Sequence, residues 1–240
     1  MTAADQRKEH ERIRAVYAHY ESSDAEQRKR DTSIPGNRLN VMGKWVALRQ
    51  AITRLDMRAG AAILDVGCGV GADLQRIAEE FAHLRPSLHG VDLVPGRIEQ
   101  ARSVLPQAEL RVAGGEQLEY EDGSFDLILT CTLFSSILDA NLARGVAREM
   151  TRVARDRAVI LCYDMRYPNP WNPHVRAIRP ADLQDLFPGS RIRLTSLTLL
   201  PPLARIAGPA YRPLHAVRPL RSHYLAEIQP ARSSKESELR

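Results

Sequence analysis

The chain has 240 residues, of which 44% are hydrophobic and 26% charged, values that suit one globular domain with extensions. No apolar run reaches the roughly 18 residues that a membrane-spanning helix needs, and the first residues carry charges of both signs, unlike a secretory signal, so we expect a cytoplasmic protein. Three widely spaced cysteines, each in an apolar stretch, favour buried free thiols over disulfides or a zinc site.

Apolar residues at helical spacing predict two helices, at 7–20 and 38–55, with a polar stretch between them. Strands and helices then alternate along the chain. The predicted strands cover 61–67, 87–93, 108–114, 125–134 and 158–165, and the predicted helices cover 72–81, 95–105, 141–153 and 180–186. The last two strands, at 191–200 and 223–229, lack a comparable helical crossover, so we expect an antiparallel strand near that edge.

Repeated strand and helix units with almost continuously apolar strands predict the α/β class. We expect a single doubly wound, Rossmann-like domain with a mostly parallel seven-stranded sheet covered on both faces. The predicted division is an N-terminal helical cap at 1–45, the sheet domain at 46–230 with a lid-like insert at 201–221, and a disordered tail at 231–240.

The segment ILDVGCGVG at 63–71 ends the first predicted strand with glycines at alternate positions, Gly67, Gly69 and Gly71. Ligands of doubly wound sheets bind at such strand ends, and glycine lets the backbone turn sharply and approach a ligand closely. Asp92 ends the second strand, where a carboxylate accepts hydrogen bonds from ribose hydroxyls. The pattern favours a nucleoside ligand, with a tight turn lacking a ligand and a nicotinamide dinucleotide as alternatives.

The charge of Asp65, just before the glycines, discriminates between these candidate ligands. A carboxylate there is unfavourable beside a pyrophosphate but suits a cation or an ammonium group. S-adenosylmethionine carries both a sulfonium and an amino group. Asp65 therefore favours S-adenosylmethionine over a dinucleotide.

Four motifs in order resemble those of the class I S-adenosylmethionine-dependent methyltransferases: ILDVGCGVG, HGVDLVPGRIEQAR, EDGSFDLILT and REMTRVARDRAVIL. The resemblance runs from about residue 46 to residue 183 and implies S-adenosylmethionine as the cofactor. Shorter segments, including PGNR, TLFSSILD and YDMRYPNPWNPHVRAI, resemble a bacterial group associated with glycan and secondary-metabolite biosynthesis.

The resemblance also implies how the cofactor is held. The backbone of the glycine turn faces the methionine part, Asp65 its amino group and Asp92 the ribose. The family usually has Gly-Asp-Ala where this chain has residues 113–115, Ala-Gly-Gly, so the backbone of Gly115 and the carboxylate of Glu116 are the candidates for adenine recognition. The predicted cofactor-binding residues are Asp65, Gly67, Cys68, Gly69, Gly71, Asp92, Leu93, Gly114, Gly115, Glu116, Thr130 and Arg38.

If the acceptor is an aliphatic hydroxyl, a base within hydrogen-bond reach helps to remove its proton. The candidate catalytic residues are His174, in the loop after the fifth strand, and Asp164, near the end of that strand. The alternative for His174 is an exposed or structural histidine, and the alternative for Asp164 is an acid that pairs with a nearby arginine and holds the loop. Asp139 is expected to cap the helix that begins near residue 141. The predicted acceptor-contacting residues are Ser135, Ser136, Tyr167 and Trp171.

The sequence therefore predicts a methyltransferase, with O-methylation of a sugar hydroxyl in a glycan or secondary metabolite as the first hypothesis. N- or C-methylation of another small molecule, and a protein that binds the cofactor without catalysis, are the alternatives. A small-molecule or glycan acceptor is expected, without nucleic acid or metal. Residues 191–224 carry six arginines and no acid, which indicates a solvated basic surface, with contact to nucleic acid, anionic lipid or a phosphorylated substrate as alternatives. For the insert at 201–221 within this stretch, membrane-surface contact and packing against another subunit are the alternatives.

Overall fold

The structure, a computed structural model, describes residues 2–231, and the predicted tail beyond residue 231 lies outside this part of the chain. The α-helices are α1 (Ala3–Ser22), α2 (Asp24–Arg30), α3 (Pro35–Thr53), α4 (Ala72–Glu80), α5 (Pro95–Val104), α6 (Ala140–Val153), α7 (Pro180–Leu186), α8 (Pro201–Ala207) and α9 (Tyr211–Ala216). The strands are β1 (Ala62–Val66), β2 (Ser87–Asp92), β3 (Glu109–Val112), β4 (Phe125–Cys131), β5 (Ala154–Met165), β6 (Arg191–Leu199) and β7 (Arg221–Gln229).

The seven strands form one sheet in the order β3-β2-β1-β4-β5-β7-β6. Strands β1 to β5 pair in parallel, and β7 runs antiparallel to both β5 and β6. This confirms the predicted mostly parallel seven-stranded sheet and its antiparallel strand near one edge. The strand order reverses between β1 and β4, so the crevice for a ligand is expected at their carboxyl ends.

Helices cover both faces of the sheet, as the apolar strands require. Successive residues of β4 alternate between the faces: Ile128 packs with residues of α1, α6 and α7, whereas Leu127 and Leu129 pack with residues of α3, α4 and α5. Buried residues of α6 recur at helical spacing, with Leu142, Val146 and Met150 on one side. Within residues 2–231, no helix combines the length and apolar content needed to span a bilayer.

Several predicted boundaries differ from the structure. The stretch predicted as a polar connection contains α2, because Ser23 caps it and its charges follow the helix dipole, with acids in the first turn and bases in the last. Strand β4 ends three residues earlier than predicted, at Cys131. Strand β5 begins four residues earlier, in the charged segment 154–157, where Arg155 pairs with Asp126 of β4. Helix α3 runs across the predicted boundary between cap and sheet domain.

Candidate active site

The glycine turn joins β1 to α4 in backbone conformations that favour glycine. The φ angles of Gly67, Gly69 and Gly71 are 79°, 54° and 80°, all in the left-handed region. The N–H groups of Gly67 and Cys68 donate to the carbonyl of Val91 in β2, at 2.8 and 3.0 Å. A Cβ on Gly67 would also lie 3.1 Å from the Leu133 side chain. Both the sharp turn and its close surroundings therefore require residues without a side chain.

Asp92 fastens this turn to the end of β2. One carboxylate oxygen accepts the N–H of Gly69 and the other accepts the N–H of Val94, both at 2.9 Å. A carboxylate oxygen has two acceptor positions, so each oxygen keeps one for a ligand. Asp92 is buried at the predicted ribose position, which suits a diol that donates two hydrogen bonds.

Asp65 and Thr130 bring unpaired polar atoms to the same edge. Asp65 is only 2% exposed, and its Oδ1 atom has no hydrogen-bond partner in the described part of the chain. Thr130, at the end of the adjacent strand β4, has a buried Oγ1 atom that is equally unpaired among these residues. Burial, reinforced by the charge of Asp73, raises the pKa of Asp65 well above its usual range. Such buried atoms are normally satisfied, so this site fits a ligand that donates hydrogen bonds and carries positive charge.

An ion pair that the sequence analysis missed lies beside Asp65. Lys44 of α3 reaches the first turn of α4, where its Nζ lies 2.8 and 2.7 Å from the two carboxylate oxygens of Asp73. The thiol of Cys131 donates to Asp73 at 3.1 Å. Burial alone would raise the pKa of Asp73, but the ammonium of Lys44 outweighs it and lowers that pKa. No local sequence pattern predicts this pair, because Lys44 precedes β1 in the chain and Asp73 follows it.

The structure supplies a carboxylate where the family's adenine-binding aspartate is absent. A Cβ built on Gly114 would lie 2.4 and 2.5 Å from the carboxylate oxygens of Glu116, so this carboxylate fills the space of a side chain at position 114. Glu116 also accepts a hydrogen bond from Gln6 at 2.7 Å and lies 3.0 Å from Nε2 of His10. Glu116 therefore places a carboxylate beside Gly114, and residues of α1 hold this carboxylate in position.

Helix α1 crosses the carboxyl ends of β1, β2 and β4. Arg12 donates to the carbonyl of Ser136 at 2.6 Å, and Arg14 donates to the carbonyl of Leu93 at 3.2 Å. The guanidinium of Arg97 lies 4.3 Å from the centre of the Tyr17 ring, and its Nη1 atom would contact a Cβ on Gly69 at 3.4 Å. These contacts place α1 over the glycine turn.

Comparison with known families agrees with this geometry. Residues 63–157, which run from β1 into β5, match the profile of a family described as a methyltransferase domain. Residues 63–157 belong to a class I S-adenosylmethionine-dependent methyltransferase domain. The cofactor of this family is S-adenosylmethionine, which confirms the cofactor predicted from the sequence.

The similar curated proteins match this chain over only part of their own length. An uncharacterized protein in transposon TN4556 of Streptomyces fradiae is 35% identical over 103 residues, which cover 41% of this chain and 29% of that protein. Norajmaline N-methyltransferase of Rauvolfia serpentina is 28% identical over 124 residues, which cover 49% of this chain and 40% of that enzyme. The chain therefore spans less than two thirds of these relatives.

Solved structures share the fold at low sequence identity. The PH0226 protein from Pyrococcus horikoshii OT3 has a TM-score of 0.62 and 14% identity, with 89% of this chain and 99% of that chain covered. A geranyl diphosphate C-methyltransferase from Streptomyces coelicolor A3(2), crystallised with S-adenosyl-L-homocysteine, has a TM-score of 0.59 and 14% identity, with 77% and 78% covered. These likenesses establish the methyltransferase fold alone.

On the predicted acceptor side of the site, where the loop after β4 meets the end of β5, Asp164 joins that loop to β5. Its carboxylate accepts the N–H of Ser135 at 3.2 Å and of Met165 at 2.8 Å. Burial raises the pKa of Asp164 to about 6, and the side chain has no exposed surface. The hydroxyl of Ser136 donates to the carbonyl of Leu133 at 2.7 Å, and that of Ser135 lies 3.4 Å from the carbonyl of Thr132. These three predicted residues are thus engaged in holding the loop.

Other predicted residues lie further out. Trp171 is 82% exposed, and His174 in the same loop is exposed as well. Tyr167 is half-buried beneath the guanidinium of Arg166, 4.9 Å from the ring centre. Arg38 is exposed on α3. Asp139 caps α6, as predicted, by accepting the N–H groups of residues 141 and 142 at 2.8 Å.

His223 of β7 is a second feature that the sequence analysis missed. Its ring stacks on Tyr163 with centres 5.0 Å apart, and burial lowers its pKa to about 4. The hydroxyl of Ser222 donates to the carbonyl of Thr198, so its oxygen is assigned as the acceptor of the Nδ1 proton of His223, at 2.8 Å. This assignment leaves a lone pair on Nε2 of a neutral imidazole.

Backbone strain marks the surroundings of His223. Thr132 and Thr198 have φ angles of 55° and 58°, which β-branched residues rarely adopt. The Oγ1 atom of Thr198 lies 2.5 Å from the hydroxyl of Tyr163, and Nζ of Lys44 lies 5.8 Å from the centre of that ring. The Tyr163 ring lies against both His223 and Lys44, so it connects His223 to the ion pair beside the glycine turn.

Proposed function

We propose that the protein is an S-adenosylmethionine-dependent methyltransferase that methylates a hydroxyl group, with a sugar hydroxyl in a glycan or secondary metabolite as the first candidate. The observation that carries the cofactor part of this proposal is the unpaired, buried Oδ1 atom of Asp65 at the glycine turn. An ammonium group there would satisfy the oxygen and compensate its charge. The amino group of the cofactor's methionine part has this chemistry.

The residues around the turn fit the rest of the cofactor. Asp92 keeps acceptor positions for the two ribose hydroxyls. Glu116 presents a carboxylate for the amino group of adenine, in the space left by Gly114. When bound, the cofactor supplies an electrophilic methyl group on a good leaving group, so the protein mainly aligns the acceptor and excludes water.

Transfer to a hydroxyl is aided by a group that takes the acceptor proton. His174 and Asp164 are the bases proposed from the sequence, and the structure adds His223, whose imidazole is neutral and whose Nε2 atom carries the lone pair. Asp164 is fully buried and accepts two backbone N–H groups, which favours a positioning role over proton transfer. The exposed indole of Trp171 offers a flat apolar surface of the kind on which a sugar ring stacks.

Titration calorimetry with S-adenosylhomocysteine and with NAD⁺ tests the cofactor assignment. We expect binding of S-adenosylhomocysteine alone. Asp92→Ala should abolish it, because the substitution removes the ribose acceptor and loosens the turn. Asp156→Ala, which changes an exposed acid, is the matched control and should bind normally. Binding of NAD⁺ in place of S-adenosylhomocysteine would show that the site belongs to a dinucleotide.

Transfer of a labelled methyl group to a panel of sugars, sugar nucleotides, phenols and amines tests the reaction. Mass spectrometry then locates the methyl group on oxygen, nitrogen or carbon. A labelled oxygen supports the proposal, whereas a labelled nitrogen or carbon establishes the corresponding alternative. Cofactor binding without transfer to any acceptor favours a non-catalytic binding protein. With an acceptor in hand, His174→Ala should lower kcat and leave cofactor affinity unchanged if His174 is the base.

A further inference from the structure

The insert, residues 201–221, has an unusual composition for an exposed segment. Between residues 200 and 220, the only polar side chains are those of three arginines, one histidine and one tyrosine. The insert folds as α8 and α9 with short 3₁₀ turns, so it is regular structure rather than a loose loop. The surface of the insert is therefore made mainly of apolar groups and arginine side chains on short helices.

The outer surface of the insert exposes large apolar side chains. Ile206 of α8 is 82% exposed, and Val217 is also exposed. Arg212 and Arg218 lie exposed in the same segment. An isolated exposed aliphatic residue is ordinary, but here two exposed aliphatic residues share one short segment with two exposed cations.

Helix α3 extends this surface. It packs directly on α8, so closely that a Cβ on Gly36 would lie 1.7 Å from the carbonyl oxygen of Ala204. Its solvent side exposes Leu39, Met42 and Val46, at spacings of three and four residues that share one helix face. Helix α3 contains no acidic residue, and neither does the segment 191–224. The exposed residues of α3 and of the adjacent insert are together called here the apolar-arginine face.

The topology places this face beside the candidate active site. Strands β5 and β6 both run antiparallel to β7, so they run in the same direction. The end of β6 and the start of β7, which the insert connects, therefore lie at the carboxyl edge of the sheet. The glycine turn and Asp92 lie at that edge as well. A partner bound to the insert would be close to the acceptor side of the site.

We propose that the apolar-arginine face docks on an anionic membrane surface, with Ile206 and its apolar neighbours entering the headgroup boundary and the arginines binding lipid phosphates. Arginine and aliphatic side chains together are typical of interfacial segments, because the long arginine stem reaches the headgroups while the apolar groups are buried. A second copy of the chain is less suitable, since a symmetric contact would bring arginine against arginine without an acid. Nucleic acid would use the charges but leave Ile206 exposed.

Together with the proposed methyltransferase function, on which this step rests, the docking constrains the acceptor. The acceptor side of the site would face the bilayer, so the acceptor would be an amphiphile held in the membrane. Membrane binding itself requires neither the cofactor nor methyl transfer, so the two proposals are tested separately.

Cosedimentation of the full chain with vesicles tests the docking. We expect binding to phosphatidylcholine vesicles that contain phosphatidylglycerol, weak binding to phosphatidylcholine alone, and weaker binding at high salt because the charges are screened. Arg212→Glu combined with Arg218→Glu should weaken binding at least about 25-fold, since each cation near the surface contributes roughly a fivefold factor. Ile206→Ser should weaken it about tenfold through lost apolar burial.

Matched controls change exposed residues outside the face. Arg148→Glu on α6 and Val104→Ser on α5 should leave vesicle binding unchanged. The proposal is overturned if the wild-type chain does not bind anionic vesicles, or if the controls weaken binding as much as the insert variants. It is also overturned if the insert substitutions instead dissociate a dimer or abolish RNA binding while vesicle binding persists. Binding of S-adenosylhomocysteine by all variants, measured in parallel, shows whether the cofactor site has been affected.

Discussion

Replacing Asp65 with asparagine should change stability and cofactor binding in opposite directions. In the free protein Asp65 is buried near Asp73 and Asp92, and its Oδ1 atom has no partner within residues 2–231. Asparagine has nearly the same shape but no charge, so Asp65→Asn should raise the free energy of unfolding by about 1 kcal/mol. For a chain of this size, that corresponds to a melting temperature about 2–4 °C higher.

The same substitution should weaken S-adenosylhomocysteine binding by roughly 10- to 150-fold, since a hydrogen bond to a charged partner contributes about 1.5–3 kcal/mol. Calorimetry should show much less change for 5′-methylthioadenosine, which lacks the amino acid part. This comparison separates a local loss at the methionine end from a general collapse of the site.

The pH dependence provides a further check. Because the pKa of Asp65 is raised by folding, the native chain holds this proton at pH values where the unfolded chain has lost it. The contribution of this group to wild-type stability therefore falls as pH rises through the native pKa. The advantage of Asp65→Asn should be largest at alkaline pH and should vanish near pH 4, close to the unfolded pKa of about 3.9. A less stable variant that binds S-adenosylhomocysteine with wild-type affinity would refute the reasoning.

Three further predictions follow from individual contacts. Glu116→Ala should weaken S-adenosylhomocysteine binding about tenfold but hardly affect S-inosylhomocysteine, which lacks the adenine amino group; equal losses would remove Glu116 from adenine recognition. Gly36→Ala should destabilise the protein by about 2–3 kcal/mol in urea unfolding, because its Cβ would meet the backbone of Ala204, whereas Gly43→Ala in the same helix meets open space and should stabilise it by about 1 kcal/mol. The pKa of His223 is lowered to about 4, so the unfolded chain takes this proton first and stability falls between about pH 6.5 and pH 4. His223→Gln should reduce that fall by up to about 3 kcal/mol, and unchanged acid sensitivity would contradict the assigned burial.

The candidate site was partly predictable from local sequence. Gly67, Gly69 and Asp92 were assigned correctly to one turn and one strand end, because glycine spacing and a polar residue after an apolar strand are local signals. The pairing of Lys44 with Asp73 was not predicted, because nothing local indicates that a lysine of α3 faces the first turn of α4. The predicted acceptor role of Ser135 and Ser136 stays a prediction, since both hydroxyls lie against backbone carbonyls.

The sequence by itself determined the α/β class, the seven strands and the glycine turn, because these depend on periodicity and backbone freedom within a few residues. Only the tertiary structure decided which distant groups meet: Glu116 in the space beside Gly114, and His223 on Tyr163. It also decided that the insert lies at the same sheet edge as the cofactor site, because strand direction follows from pairing across the sheet and not from the residues of each strand.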